Sequence, residues 1–149
     1  MKNILFTLAM VAVSVPAFAA QVIGVADGDT LTILQDDKPL KIRLGNIDAP
    51  EKKQSFGERS KQSLSDLCYR KEATYSILNV DRYGRTVALV RCAGIDVSRA
   101  QVKRGMAWVY TQYNTDTSLP AIQAEAKAAH RGLWVDEGAT PPWSFRRSN

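Results

Sequence analysis

Five side chains in this chain have the types and spacing to act together on a phosphate: Asp29, Arg43, Asp48, Glu51 and Arg85. Arg43, Asp48 and Glu51 fall within one stretch, residues 42–51, that reads as an apolar strand running out into a turn. Leu40, Ile42 and Leu44 share a parity and face a core, Lys41 and Arg43 face the other way, and Pro50 stops the strand because it has no N–H for a ladder. Asp29 opens the preceding strand, just after the Asp27-Gly28 turn signal, so a hairpin would bring Asp29 and Asp48 to one point. Two close carboxylates force one to keep its proton unless a divalent cation lets both ionise. An all-oxygen site with so few protein ligands suits Ca2+, with water completing the shell and affinity on the order of 10⁻⁴–10⁻³ M. Arg43 and Arg85 flank that point from different strands, and a guanidinium fork matches two phosphate oxygens. Glu51, three residues past Asp48, can orient or deprotonate a water. Any one of these charges alone would ordinarily be a solvated surface group; the chemistry lies in their convergence.

Other hydrolytic devices lack parts. His130 is the only histidine, too few for a histidine-based nuclease or a His-ligated zinc site. The two cysteines, Cys68 and Cys92, read as a disulfide rather than a catalytic thiol, joining a helix end to a late strand. Residues 1–19 have the form of a secretory signal peptide: Lys2, then the apolar run 4–13, then Ala17-Phe18-Ala19. Ala20 is the expected mature start, and no other stretch approaches the roughly 20 apolar residues of a membrane span. An exported monomer is expected, without a membrane anchor in its mature form. The formal charge of +5, about +4 without Lys2, suits an anionic partner but does not identify one.

The elements that must position these groups follow in order. Strands are expected over 21–25, 30–34 and 40–44, linked by hairpins, and again over 73–80 and 85–92. Ser55 and Glu58 have capping-box spacing, predicting a helix from Ser55 to near Cys68 that buries Phe56, Leu64 and Leu67. Asp96 caps a second helix that Gly105 ends. Leu119, Ile122, Ala126, Ala129 and Leu133 mark a third, capped by Thr117 or Ser118 and stopped by Gly132. Residues 20–137 then form one domain, and 138–149, with Pro141-Pro142-Trp143, an extended tail. Three strands, a helix, two strands and two helices give an α+β chain dominated by a small β-barrel: the five-stranded Greek-key OB-fold with three helices, whose open face binds oligonucleotides or oligosaccharides. A generic α+β domain is the plainer alternative. Tyr110 and Tyr113 can offer faces to stacked bases or serve as ordinary core and rim aromatics.

Asp27-Gly28-Asp29-Thr30, then Arg43-Leu44-x-x-Ile47-Asp48-Ala49-Pro50-Glu51, then Asp81-Arg82-Tyr83-Gly84-Arg85, together resemble the thermonuclease (staphylococcal nuclease-like) family. The likeness extends to residues 105–110 and to the helix from Ala124 to Trp134. It implies an OB-fold and a secreted or periplasmic Ca2+-dependent phosphodiesterase that cuts DNA and RNA with little sequence preference and leaves 3′-phosphate ends. By resemblance Asp29 and Asp48 are calcium ligands, with Ala49 adding its backbone carbonyl. Arg43 and Arg85 match the phosphate-binding pair, and Glu51 the glutamate that handles the attacking water. Arg82 takes the place of a lysine beside the turn, and Tyr113 falls on a nucleotide-contacting tyrosine whose companion position holds Thr111. A non-catalytic OB-fold module that only binds nucleic acid is the alternative.

Overall fold

Alternating apolar residues build the first three strands, β1 (Phe18–Asp27), β2 (Thr30–Gln35) and β3 (Lys38–Leu44), in a computed structural model that describes residues 18–148. Val22, Leu31, Ile33, Ile42 and Leu44 point into one core. The two-residue strand β4 (Ile47–Asp48) precedes helix α1 (Gly57–Cys68). Strands β5 (Glu72–Val80), β6 (Thr86–Cys92) and β7 (Ile95–Asp96) lead into α2 (Val97–Lys103). The chain then forms β8 (Trp108–Val109), α3 (Leu119–Ala128), a 3-10 turn over Gly132–Val135, and α4 (Pro142–Ser148).

Strand order β3-β2-β1-β5-β6, with a parallel β3–β6 pairing that joins the two ends, closes a five-stranded barrel. Closure removes the open edges that a small sheet would otherwise expose. This is the expected OB-fold. Leu64 and Leu67 of α1 and Val97 and Val102 of α2 fill the same core. A disulfide between Cys68 and Cys92 ties the end of α1 to the end of β6, as the cysteine count predicted.

The leader expected over residues 1–19 lies outside the described residues as far as position 17; Phe18 and Ala19 open β1, opposite Tyr75 and Thr74 of β5. Cleavage after Ala19 would leave Ala20 and Gln21 as β1's partners to β5.

Three expectations about element ends need correction. The capping box at Ser55 does not form: Phe56, at φ 66°, holds the N-cap position with no side-chain bond, and its carbonyl accepts from Ser60 N–H at 2.8 Å. Close packing fixes the start instead, since a Cβ at Gly57 would stand 2.2 Å from the Glu51 carbonyl oxygen. The last long helix ends at Ala128 rather than Gly132, because His130 takes a left-handed conformation at φ 51°. Bonds from His130 N–H to Lys127 O and from Arg131 N–H to Ala126 O complete a Schellman closure. Gly132 serves close approach: a Cβ there would meet Gly105 O at 2.3 Å. The expected extended tail instead contains α4, a fourth helix. Proline at a first helical position gives up no bond and arrives with the right φ, so Pro142 starts a turn. Ser144 and Phe145 N–H groups both bond to Pro141 O.

Candidate active site

A tight turn between β1 and β2 carries the first acid. Asp29 N–H donates to Asp27 Oδ1 at 3.0 Å, and Gly28 must be glycine because a Cβ would lie 1.8 Å from Ser60 Oγ and 2.8 Å from Ala49 Cβ. The turn is clamped from beneath by Gln101, a fully buried amide on α2. Its Nε2 donates to Gly28 O and Ser60 O, and its Oε1 accepts from Ser63 Oγ at 2.6 Å. A buried amide is costly unless its groups are paired, and here the paired groups fix the turn to α1 and α2.

The second acid arrives by a different route. Pairing of Thr30 with Arg43 continues to a bond from Leu44 N–H to Asp29 O, which sets Asp29 beside the end of β3. Asn46, at φ 70°, then turns the chain into β4, where pairing with β8 sets Asp48 opposite Trp108. Asp48 therefore sits on its own short strand, not on β3. Arg43 joins the two acids: Nη2 lies 3.2 Å from Asp48 Oδ1 and 3.4 Å from Asp29 Oδ2. Its Nη1 donates to the carbonyls of Leu44 at 2.6 Å and Ile47 at 2.8 Å. Ala49 N–H donates to Asp29 Oδ2 at 2.6 Å, and Thr30 Oγ1 to Asp29 Oδ1.

Negative charge is concentrated here. Burial pushes the Asp48 carboxyl above the usual range, and the Asp29 charge adds to this against the pull of Arg146 and Arg43. Burial, then the neighbouring Asp29 charge, pushes Asp27 up to about 6. Among the described residues no group of three or more His, Cys, Asp or Glu side chains forms a metal cage. What Asp29 and Asp48 offer is a pair of converging buried carboxylates, donors whose chemistry fits a hard cation that keeps much of its water.

The remaining expected residues divide. Glu51 joins the acids through Arg146, a residue the sequence reading missed. Arg146 Nη1 donates to Glu51 Oε1 at 2.6 Å and to Asp48 Oδ1 at 3.2 Å, and Nη2 donates to Asp48 Oδ2 at 2.7 Å. These partners, Asp48 first, push the Arg146 pKa still higher against the effect of burial. Arg85 makes no contact with the acid pair. Its Nε donates to Asp81 Oδ2 at 2.7 Å, at the turn where β6 begins alongside β3. The guanidiniums of Arg82 and Arg85 lie 4.9 and 5.5 Å from the centroid of the exposed Tyr83 ring. Tyr110 stacks on Trp143 at 5.4 Å with the planes 1° apart, and Tyr113, largely exposed, meets Tyr110 edge-on. Gln101 and Asp27 were also missed as parts of the site. A glutamine on the apolar face of a helix is the one signal that pointed to the former.

Residues 41–136 match the family model described as staphylococcal nuclease homologue. A protein of Escherichia coli O157:H7 named an uncharacterized endonuclease is 45% identical over 127 residues, 85% of this chain and 83% of its own length. An uncharacterized endonuclease of Haemophilus influenzae is 44% identical over 85% of this chain and 72% of its own. A micrococcal nuclease of Shigella flexneri is 37% identical, with 100% of this chain and 97% of the relative covered.

Proposed function

The chain belongs to the staphylococcal nuclease homologue family, and from that membership and the site's geometry we propose that it is a Ca2+-dependent nuclease hydrolysing phosphodiester bonds of DNA and RNA with little sequence preference and leaving 3′-phosphate ends. Relatives named endonuclease and micrococcal nuclease support the nuclease activity. The observation that supports the ion site is the convergence of Asp29 and Asp48 on one nitrogen of Arg43; the substrate range and the product ends are what the family resemblance implies.

In this reading Asp29, Asp48 and the Ala49 carbonyl hold the ion. The bound ion supplies positive charge to the phosphate and a more acidic water. Arg43 sets the two acids side by side, since its terminal nitrogens are committed to them and to two backbone carbonyls, and with Arg85 it supplies positive charge to the phosphate. Arg85 exchanges Asp81 for a phosphate oxygen as charge builds on the diester. Glu51 orients or deprotonates the attacking water. Arg82 and Tyr113 are exposed enough to meet the rest of the nucleic acid, and Tyr110 backs Tyr113.

We further place the protein outside the cytoplasm, after loss of a leader near Ala19, acting as a monomer; the leader-like start and the Cys68–Cys92 bridge support export. Among the described residues no helix is long and apolar enough to cross a membrane. The test is cleavage of end-labelled single- and double-stranded DNA and of RNA, with millimolar Ca2+ or with a chelator, followed by analysis of product ends. Cleavage that needs the ion and yields 3′-phosphates is expected. Binding without cleavage would replace this reading with a non-catalytic nucleic-acid module.

A further inference from the structure

We propose that residues 140–148 form an autoinhibitory strap, in which Arg146 occupies Asp48, one member of the acid pair, together with Glu51, and must leave before a divalent cation can bind Asp48. The proposal rests on the reading of Asp48 as an ion ligand.

Arg146 takes both carboxylate oxygens of Asp48 and one oxygen of Glu51. Asp48 is only 2% exposed, so a guanidinium that covers both its oxygens stands where a ligand of that carboxylate would approach. A fork on both oxygens and a cation coordinated by them are alternatives, because each needs the same lone pairs of the Asp48 carboxylate.

The segment that delivers Arg146 is anchored at several points. Gln54 Nε2 donates to Thr140 O at 2.5 Å, Pro142 is buried, and Trp143 stacks flat on Tyr110 while meeting Trp108 edge-on at 5.8 Å. None of these anchors is part of the barrel core; Trp108 packs instead on the smaller cluster of Ala126, Leu133 and Trp134. Between strap and body lies a cleft of about 280 Å³, lined by Pro50, Phe56, Trp108, Leu133, Thr140 and Phe145. A seven-residue helix at the end of the described chain, with such a cleft between it and the body, can lift as a unit. Two of its anchors connect to the site: Gln54 Oε1 accepts from Glu51 N–H, and Tyr110 N–H bonds to Asn46 O at the turn before Asp48. Opening therefore frees Asp48 and Glu51 of Arg146 and moves Trp143 off Tyr110 together.

The strap and the ion then share one equilibrium. If the closed form outweighs the open one about tenfold, apparent ion affinity falls about tenfold, and removing the latch restores it. The experiment is calorimetric titration of Ca2+ into the full chain and three variants, each checked for folding by far-ultraviolet circular dichroism, with tryptophan fluorescence recorded in parallel. Arg146→Gln is expected to bind Ca2+ about tenfold more tightly than the parent. Trp143→Ala, which keeps the charge but removes the stacking anchor, shifts Kd in the same direction. Arg147→Gln removes the same charge from the exposed neighbouring side chain and is expected to stay within about twofold of the parent, since an exposed charge is screened by solvent and salt. In the parent, Ca2+ alters tryptophan emission at the concentration where it binds.

Equal Kd values in the parent, Arg146→Gln and Trp143→Ala would overturn the strap and leave the nuclease reading standing. Equal tightening by Arg146→Gln and Arg147→Gln would also overturn it, by showing a bulk charge effect. Absence of Ca2+ binding in every variant would overturn the strap along with the ion site beneath it.

Discussion

Arg43 is the residue through which site and fold are most tightly coupled, and Arg43→Met separates the two. Methionine keeps much of the length of the side chain while removing every donor. The substitution leaves Leu44 O and Ile47 O without their guanidinium partner and takes away the cation between Asp29 and Asp48. Breaking a buried charged cluster by removing one partner costs about 3–5 kcal/mol, and Arg146, which still touches Asp48, argues for the lower end. At roughly 3–4 °C per kcal/mol for a chain of this size, Tm falls by about 10–15 °C. Thermal unfolding followed by circular dichroism at neutral pH with a chelator measures this directly. Ca2+ should return part of the loss, since an ion at ten times its Kd stabilises by about 1.4 kcal/mol. Adding Asp48→Asn to Arg43→Met should cost less than the two single changes summed, with a coupling of about 1 kcal/mol or more. A variant melting within about 2 °C of the parent in chelator, below what loss of such a cluster allows, would refute the idea that Arg43 neutralises the acids.

Arg85→Ala should lower the cleavage rate by about 10²–10³-fold, because it removes charge stabilisation at the phosphate, yet shift Tm by no more than about 2 °C; full activity in a steady-state assay would remove Arg85 from the mechanism. Reduction of the buried Cys68–Cys92 bridge should lower stability by about 3 kcal/mol, read as a displaced urea midpoint with and without reductant. Asp116 accepts from Ser118 Oγ at 2.6 Å and Ser118 N–H at 2.9 Å, bonds that hold its carboxyl below the usual range. Its contribution is thus present above the unfolded-state value near 3.8 and disappears as pH falls through the lowered folded value. Asp116→Ala should cost about 1 kcal/mol at neutral pH, and its urea midpoint should converge with the parent's in acid.

What was legible in the sequence was local or set by strand parity. Leu31, Ile33, Ile42 and Leu44 gave the barrel strands, and the Gly28 turn with the hairpin after it placed Asp29 beside the end of β3, while the further turn at Asn46 that carries Asp48 to it was not read. Asp96 caps α2 through Arg99 N–H, and Gly105 ends it, because both signals act within a few residues. The misses share another cause. Phe56 and His130 take left-handed conformations that glycine would normally mark, and surrounding contacts override that preference. Pro141-Pro142 is compatible with an extended segment or with a helix start, and the contacts that hold the helix, Trp143 on Tyr110 and Arg146 on Asp48 among them, are remote in sequence. Arg146 reaches Asp48 across 98 positions of sequence, and Gln101 reaches Gly28 across 73, distances over which neither periodicity nor turn chemistry carries information.

The most direct trial of the acid pair is the cleavage rate of a folded Asp48→Asn variant on a labelled single-stranded oligonucleotide in millimolar Ca2+. Asparagine keeps the shape and an acceptor for Arg43 but removes the charge that would hold the ion. A loss of at least about 10²-fold against the parent, with the circular dichroism spectrum unchanged, is the predicted result; a rate equal to the parent's would contradict a hydrolytic centre built on Asp29 and Asp48.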